Sequence, residues 1–210
     1  MTAAAIPLIG LVLVILFSSP KSPTSNIPDA KWEEVKEWQG IEVEFPTLDE
    51  EKDYQSIHTF ITKNYKTIPT EDAKNISTYL VKYGKEHHVD PKFTAALMSR
   101  ESGFNRKAVS ASGAKGLGQI KDFNYQSLNI KDPYDIQENA SGTTVYIKDM
   151  LTRWKNKATK TGLALASYFK GFGAVKKSNG NLDNETKHYV QDILNTYQTL
   201  CAASQNDPPK

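Results

Sequence analysis

A glutamate at the end of an apolar helical segment is the residue of this chain best suited to acid–base chemistry. Asp90 followed by Pro91 is typical of a helix start, and Gly103 is typical of a helix end, so Glu101 is predicted to lie in the last turn. The negative end of the helix dipole raises the pKa of a carboxyl there. A raised pKa suits a general acid at neutral pH.

The residues around Glu101 favour the same chemistry. The apolar neighbours Met98 and Phe104 would raise its pKa further by excluding water. A glycine-rich loop follows, in which Gly113, Gly116 and Gly118 allow the backbone to pass close to a ligand. Without other information, an exposed glutamate followed by a flexible loop is the competing interpretation.

A second carboxylate is absent from the sequence close to Glu101. Ordinary glycosidases use two carboxyl groups roughly 5 to 9.5 Å apart. The 20 residues after Glu101, through Lys121, contain no Asp or Glu. Four more distant acids could still approach it in space: Asp122, Asp132, Asp135 and Glu185.

The elements that must position this segment are helices. Apolar residues recur at helical spacing on both sides of it, and no convincing alternating strand is present, so the predicted fold class is mostly α. Such patterns occur at Ile76, Tyr79, Leu80 and Tyr83, at Ile136, Ala140, Ile147 and Leu151, and at Tyr189, Val190, Ile193, Leu194 and Tyr197.

Composition narrows the function classes. Net charge is +2, but residues 1–70 are acidic and residues 71–210 carry about six excess cations, which suits an anionic polymer or membrane surface. Cys201 is the one cysteine, so an intramolecular disulfide and a Cys-rich zinc site are excluded. His87 and His88 lack further ligands at metal-binding spacing, and no cofactor, metal or nucleic-acid partner is expected.

The N-terminal part divides into a targeting segment and a spacer. Residues 3–17 are apolar and uncharged, no basic residue precedes them, and no good cleavage site follows, so we expect residues 1–20 to be a membrane anchor or signal segment. Residues 21–71 are predicted to be a linker with a short helix near 54–65. A catalytic domain over 72–200 and a flexible tail over 201–210 complete the predicted organisation.

Four ordered motifs identify the helical part as similar to a known family. The segments are 101–119, which contains ESGFN, AVS and GAKGLGQ, then 132–139 (DPYDIQEN), 166–171 (ASYFKG) and 185–190 (ETKHYV). Their order and spacing resemble those of lytic transglycosylases of the soluble-lytic-transglycosylase type, which are related to goose-type lysozyme. The resemblance covers residues 72 to 200.

The resemblance implies a lysozyme-like α domain that cleaves the β-1,4 bond between N-acetylmuramic acid and N-acetylglucosamine in peptidoglycan. Glu101 matches the single catalytic acid/base, which protonates the glycosidic oxygen and then deprotonates the muramic acid 6-hydroxyl to form a 1,6-anhydro ring. The other matches concern substrate binding. Ser110 and Gln119 match residues that hydrogen-bond the substrate, Tyr168 matches the tyrosine that lies against the catalytic carboxyl, and Glu185 matches a cleft residue.

Each of these matches has a simpler explanation. Ser110 could be a turn residue, Tyr168 could be a core aromatic, and Glu185 could favour the start of its helix. The sequence also departs from the family at two positions. Phe169 stands where the family usually has Asn, and Gly118 stands where it usually has Met, so we expect altered substrate positioning and less desolvation of the acid.

Three functions follow from these observations. The first is a peptidoglycan lytic transglycosylase, membrane-anchored and acting in the periplasm or at the cell wall, for wall remodelling, for a secretion apparatus or for a phage, where it could be part of the virion. The second is a lysozyme that uses water instead of the 6-hydroxyl. The third is a weakly catalytic wall-binding or structural component of an envelope-spanning or virion assembly.

Overall fold

The computed structural model describes residues 38–44, 49–179 and 181–205, and within these ranges the chain is helical. The prediction of a mostly α fold is confirmed, since extended pairing among the described residues is limited to isolated bridges of Lys115 with Val109 and Ile120. A short 3-10 turn, Asp122–Asn124, follows the glycine-rich loop. The helices are α1 (Glu50–Asn64), α2 (Thr70–His87), α3 (Pro91–Ser102), α4 (Ile136–Arg153), α5 (Lys160–Lys170), α6 (Phe172–Ser178) and α7 (Asn184–Gln205).

Helix α3 is the buried central helix. Its start and end are those predicted: the Asp90 side chain caps the N-terminus by accepting from the Lys92 N–H, and Gly103 adopts a left-handed conformation at the C-terminus. Its residues from Phe93 to Met98 are buried on every side, because α1, α2, α4 and α7 all pack against it. The core therefore fixes the position of the turn that carries Glu101.

Helix α1 differs from its predicted role as part of a linker. The predicted short helix exists and is longer, and its apolar residues Ile57 and Ile61 are fully buried. Trp38 is also fully buried, and its ring packs so closely on Gly162 that a Cβ there would lie 2.5 Å from it. Residues 38–44 and 50–64 are therefore part of the domain, because their apolar side chains cover the core.

The two ends of the chain are only partly described. Helix α7 continues to Gln205, so the predicted tail boundary at residue 201 is too early. The apolar run 3–17 lies outside the described residues, as do residues 206–210. Of the helices that are described, none combines the length and the apolar character needed to cross a membrane.

Candidate active site

Glu101 lies in the last turn of α3. The residue as a whole is half-buried, but its carboxyl is buried against α7. The Tyr189 hydroxyl donates a hydrogen bond to Oε1 of Glu101. Burial raises the pKa of Glu101 to about 7, although the hydrogen bond from Tyr189 and the positive charge of Arg100 both act to lower it. The carboxyl is thus divided between its protonated and ionised forms near neutral pH.

No second carboxylate of the described residues contacts Glu101. The four acids considered from the sequence have other partners: Asp122 accepts from Phe123 N at 2.8 Å, Asp132 from Tyr134 N at 2.9 Å, Asp135 from Glu138 N at 2.8 Å, and Glu185 pairs with Lys170 at 2.8 Å. Arg100 pairs with Asp192 at 3.5 Å rather than with its neighbour Glu101. Glu101 is therefore a buried acid that has a tyrosine as its direct partner.

Side chains from three helices hold the glycine-rich loop beside Glu101. From α4, Asn139 accepts from Gly118 N at 2.8 Å. From α3, the Ser102 hydroxyl donates to the Leu117 carbonyl at 2.7 Å, and from α5 the Tyr168 hydroxyl donates to the Gly118 carbonyl at 2.7 Å. These bonds satisfy buried backbone groups and fix the loop relative to the acid.

Close packing explains why residue 118 is glycine in this chain. A Cβ at Gly118 would lie 2.0 Å from Oγ1 of Thr143 on α4, which leaves no room for the methionine usual in the family. Residue 116 is similarly restricted: Gly116 has a φ of +77°, and a Cβ there would lie 2.2 Å from Nδ2 of Asn139. With glycine at position 118, burial raises the pKa of Glu101 to about 7.

Ser110 and Gln119, predicted to bind substrate, use their side chains to shape the same loop. The Ser110 hydroxyl oxygen accepts from Ala114 N at 3.0 Å. The Gln119 amide donates to the carbonyls of Gly116 at 2.9 Å and Ala108 at 3.2 Å, and its backbone has a φ of +51°. Their substrate contacts stay a prediction.

The tyrosine that donates a hydrogen bond to the Glu101 carboxyl is Tyr189, whereas the resemblance implied that Tyr168 lies against it. The hydroxyl of Tyr168 is taken by the Gly118 carbonyl, and its ring packs against Tyr146 with centroids 5.0 Å apart. Tyr189 is 1% exposed, so its hydroxyl requires a partner within the protein, and Glu101 supplies it. Tyr189 lies in the quoted motif 185–190 and in the apolar pattern of its helix, and these two features are the sequence signal that could have indicated the contact.

Glu185 lies in the first turn of α7 and is exposed, which agrees with the simpler explanation given above. Its partner Lys170 also lies over the Phe169 ring, 4.7 Å from its centroid. Asn139 and Ser102 were missed from the sequence, although each belongs to a quoted motif. Their role in holding the loop depends on the backbone groups that the fold places beside them, which are the Leu117 carbonyl for Ser102 and the Gly118 N–H for Asn139.

The remaining polar groups give no metal site within the described ranges. No group of three or more His, Cys, Asp or Glu side chains there could hold a metal ion. His87 packs on the Tyr83 ring, and its Nε2 lies 3.8 Å from Glu86. Cys201 is a half-buried free thiol.

The described residues form a helical domain in which Glu101 lies beside a glycine-rich loop that is held by three helices. The model of the transglycosylase SLT domain family matches residues 78–191, more than half of the chain. The chain therefore belongs to the transglycosylase SLT domain family, as the motifs predicted.

Relatives and solved structures agree with that assignment. The chain is 27% identical over 127 residues to membrane-bound lytic murein transglycosylase F of Desulfosudis oleivorans, covering 59% of this chain and 27% of that protein. It is 28% identical over 144 residues to the protein of the same name from Pectobacterium atrosepticum, covering 64% and 28% respectively. This chain thus matches little more than a quarter of the length of either relative.

Two solved structures share the fold. An inactive mutant of the lytic transglycosylase Slt from Pseudomonas aeruginosa matches with a TM-score of 0.55 and 19% identity, over 75% of this chain and 29% of that one. The 70 kDa soluble lytic transglycosylase SLT70 from Escherichia coli matches with a TM-score of 0.53 and 18% identity, over 73% and 29%. The lysozyme-like SLT fold predicted from the motifs is confirmed.

Proposed function

We propose that the chain is a peptidoglycan lytic transglycosylase that cleaves the β-1,4 bond between N-acetylmuramic acid and N-acetylglucosamine and leaves a 1,6-anhydro end. The observation that carries the proposal is the state of Glu101 in an SLT-family domain. Its carboxyl is buried, its pKa is about 7, and no second carboxylate of the described residues contacts it. A single group can then act first as an acid and then as a base.

The proposed reaction uses both protonation states of Glu101. The protonated carboxyl donates its proton to the glycosidic oxygen as the bond to the muramic acid C1 breaks. The resulting carboxylate removes the proton of the 6-hydroxyl, whose oxygen attacks C1 and closes the anhydro ring, so the acid is regenerated. A pKa near the working pH favours both transfers.

The four predicted substrate-binding residues remain proposals with distinct supports. Ser110 and Gln119 would act by fixing the loop whose backbone faces the sugar chain. Tyr168 would act through the Gly118 carbonyl that it holds. Glu185 is exposed beside Lys170 at the start of α7, where it is free to meet solvent or substrate.

The cellular setting is also a proposal. We propose that residues 1–20, with the apolar run 3–17, direct or anchor the domain to the bacterial envelope, where it opens the wall locally for remodelling, for a secretion apparatus or for a phage. A phosphatase that is active only outside the cytoplasm, fused after residue 37, tests this arrangement. Activity that disappears when residues 1–20 are removed supports it, and activity equal in both fusions contradicts it.

The experiment that tests the activity is mass spectrometry of soluble products from purified peptidoglycan. The full chain is compared with Glu101→Gln and with Glu71→Gln, a matched control at an exposed glutamate in the first turn of α2. We expect anhydro-muropeptides from the wild type and the control, and at least about a 10³-fold loss in Glu101→Gln.

Two outcomes would contradict the proposal. Products with reducing ends would make the protein a hydrolase that uses water. No product from the wild type would leave a wall-binding or structural role.

A further inference from the structure

An aromatic stack lies directly behind the hydrogen bond to Glu101. The rings of Phe169 and Tyr189 are nearly parallel, with an interplanar angle of 13° and centroids 4.4 Å apart. Phe169 is on α5 and Tyr189 is on α7, so the stack joins the two helices at the active site. Phe169 is also one of the two positions at which this chain departs from its family.

Ionic contacts hold the Phe169 side of this stack. Lys170 lies over the Phe169 ring at 4.7 Å and pairs with Glu185 at 2.8 Å and with Asp183 at 3.5 Å. Asp183 immediately precedes α7, and Glu185 lies in its first turn. The end of α5 is thereby attached to the helix that carries Tyr189.

The geometry of a tyrosine explains what a ring on its face can do. The hydroxyl lies on the long axis of the ring, so rotation about χ2 does not move it, whereas a change in χ1 or in ring tilt does. A neighbouring ring packed against one face opposes such a tilt. Phe169 therefore restricts the movement that would carry the Tyr189 hydroxyl away from the Glu101 carboxyl.

We propose that Phe169 is a positioning residue for the acid/base, because its stack with Tyr189 keeps the tyrosine hydroxyl on the Glu101 carboxyl. The proposal rests on the acid/base role proposed for Glu101. It also gives a role to the residue that the sequence comparison marked as a loss. In place of a polar side chain in the cleft, this chain has a ring that fixes the hydrogen-bond donor.

The charged and titratable groups that face Glu101 set the direction of the expected effect. They are Arg100 on α3, Tyr168 on α5 and Tyr189 on α7. The Tyr189 hydrogen bond stabilises the carboxylate and so lowers the pKa of Glu101. A looser stack weakens this bond and should raise the pKa.

The test is a carboxyl NMR titration of Glu101 in the full chain, which needs no activity, combined with kinetics on peptidoglycan. In Phe169→Leu we expect the Glu101 pKa to rise, kcat to fall about tenfold and KM to change little, because the donor is misplaced by a fraction of an ångström. Phe169→Tyr keeps the stacked ring and should restore the wild-type pKa. If Phe169→Leu does not fold, Phe169→Met repeats the measurement with a side chain that fills gaps readily.

The chain offers a matched control in Phe172. Its ring is also half-buried and lies beneath the cations Arg153 and Lys176, but its aromatic partner is Trp154. Phe172→Leu should leave the Glu101 titration unchanged. A second control is Tyr189→Phe, in whose background Phe169→Leu should no longer shift the pKa.

The outcomes separate this proposal from the proposed function. An unchanged Glu101 titration in a folded Phe169→Leu protein overturns the positioning role, whatever the products are. The positioning role is supported if the Glu101 pKa is raised in Phe169→Leu and has its wild-type value in Phe169→Tyr. This holds even if the wild type gives hydrolytic products. A pKa shift of equal size in the Tyr189→Phe background would show that Phe169 acts on Glu101 by another route, which also overturns the proposal.

Discussion

The two ends of α3 each carry a buried carboxylate that accepts a hydrogen bond from a tyrosine of α7, but only one of the two carboxylates forms an ion pair. At the N-terminal end, Tyr197 donates to Asp90 at 2.7 Å, and Lys92 pairs with Asp90 at 3.2 Å and with Asp53. At the C-terminal end, Tyr189 donates to Glu101, and Arg100 pairs with Asp192 instead.

The ion pairs of Lys92 give the carboxylates at the N-terminal end of α3 a different role from that of Glu101 at the C-terminal end. Lys92 is only 11% exposed, and its position between two acids raises its own pKa despite burial. The two acids are ion-paired parts of the framework, where removal of one partner is costly. Glu101 forms no ion pair among the described residues, so burial outweighs the charge of Arg100, moves the Glu101 pKa to about 7 and leaves the carboxyl able to exchange a proton.

The largest expected effect is the loss of the cation at the N-terminal end of α3. Lys92→Met leaves Asp53 and Asp90 buried without their partner and should lower the free energy of unfolding by about 3–5 kcal/mol, measured by urea denaturation. Lys52→Met is the control, because Lys52 forms an exposed pair with Asp49 at 3.2 Å and should cost less than about 1 kcal/mol. If Lys92→Met and Lys52→Met lose the same free energy of unfolding, the ion pairs at the N-terminal end of α3 are no more important than an exposed pair, and the contrast with Glu101 fails.

The second prediction concerns the stability cost of keeping Glu101 buried. Its pKa is about 7 in the folded protein against the ordinary value of 4.5, so its contribution to stability is fully present below about pH 4.5 and is lost as the pH rises through 7. Glu101→Gln cannot ionise. Relative to wild type, it should gain up to about 3 kcal/mol of unfolding free energy between pH 4 and pH 8.

Denaturation curves across this pH range check the second prediction. Glu71→Gln is again the control, since Glu71 is exposed. If the unfolding free energies of Glu101→Gln and wild type differ by the same amount at every pH, burial does not raise the pKa of Glu101.

The third prediction compares the two tyrosines. Tyr197→Phe removes a hydrogen bond to a buried carboxylate and should cost about 2 kcal/mol of stability while activity on peptidoglycan is retained. Tyr189→Phe should instead raise the pKa of Glu101, seen by NMR titration. The comparison fails if Tyr197→Phe shifts that titration as much as Tyr189→Phe does.

The smallest expected effect is that of Arg100. Activity of the wild type should fall as the pH rises above about 7, because the carboxyl must start protonated. Arg100 lowers the pKa of Glu101, so Arg100→Met should raise it and move the alkaline limb of the pH–rate profile slightly towards higher pH. Arg153→Met, at an exposed arginine paired with Asp149 at 2.8 Å, should leave the limb in place.

Several parts of the fold and the site could be predicted from local sequence alone. The start and end of α3 follow from an Asp-Pro pair and a glycine, since capping depends on residues within one turn. The position of Glu101 in the last turn follows from the same signals. The helical periodicity of Ile57, Phe60 and Ile61 likewise predicted a helix, but not that it would pack into the domain.

The contacts that make the site work join residues far apart in the chain. Tyr189 meets Glu101 across 88 positions, and Tyr168 meets Gly118 across 50. Local pattern cannot distinguish which of two buried tyrosines reaches the acid, because the answer depends on how α5 and α7 pack around α3. The resemblance implied a contact from Tyr168, and in the structure the hydrogen bond to Glu101 comes from Tyr189.

The sequence by itself determined the helices, the acid at the end of α3 and the glycine-rich loop that follows, because capping, periodicity and backbone freedom are properties of neighbouring residues. The tertiary structure decided the electrostatics. Whether a buried carboxylate becomes part of an ion-paired framework, as Asp90 does, or an unpaired acid with a pKa near neutral, as Glu101 does, depends on which cation and how much water the packed helices leave beside it.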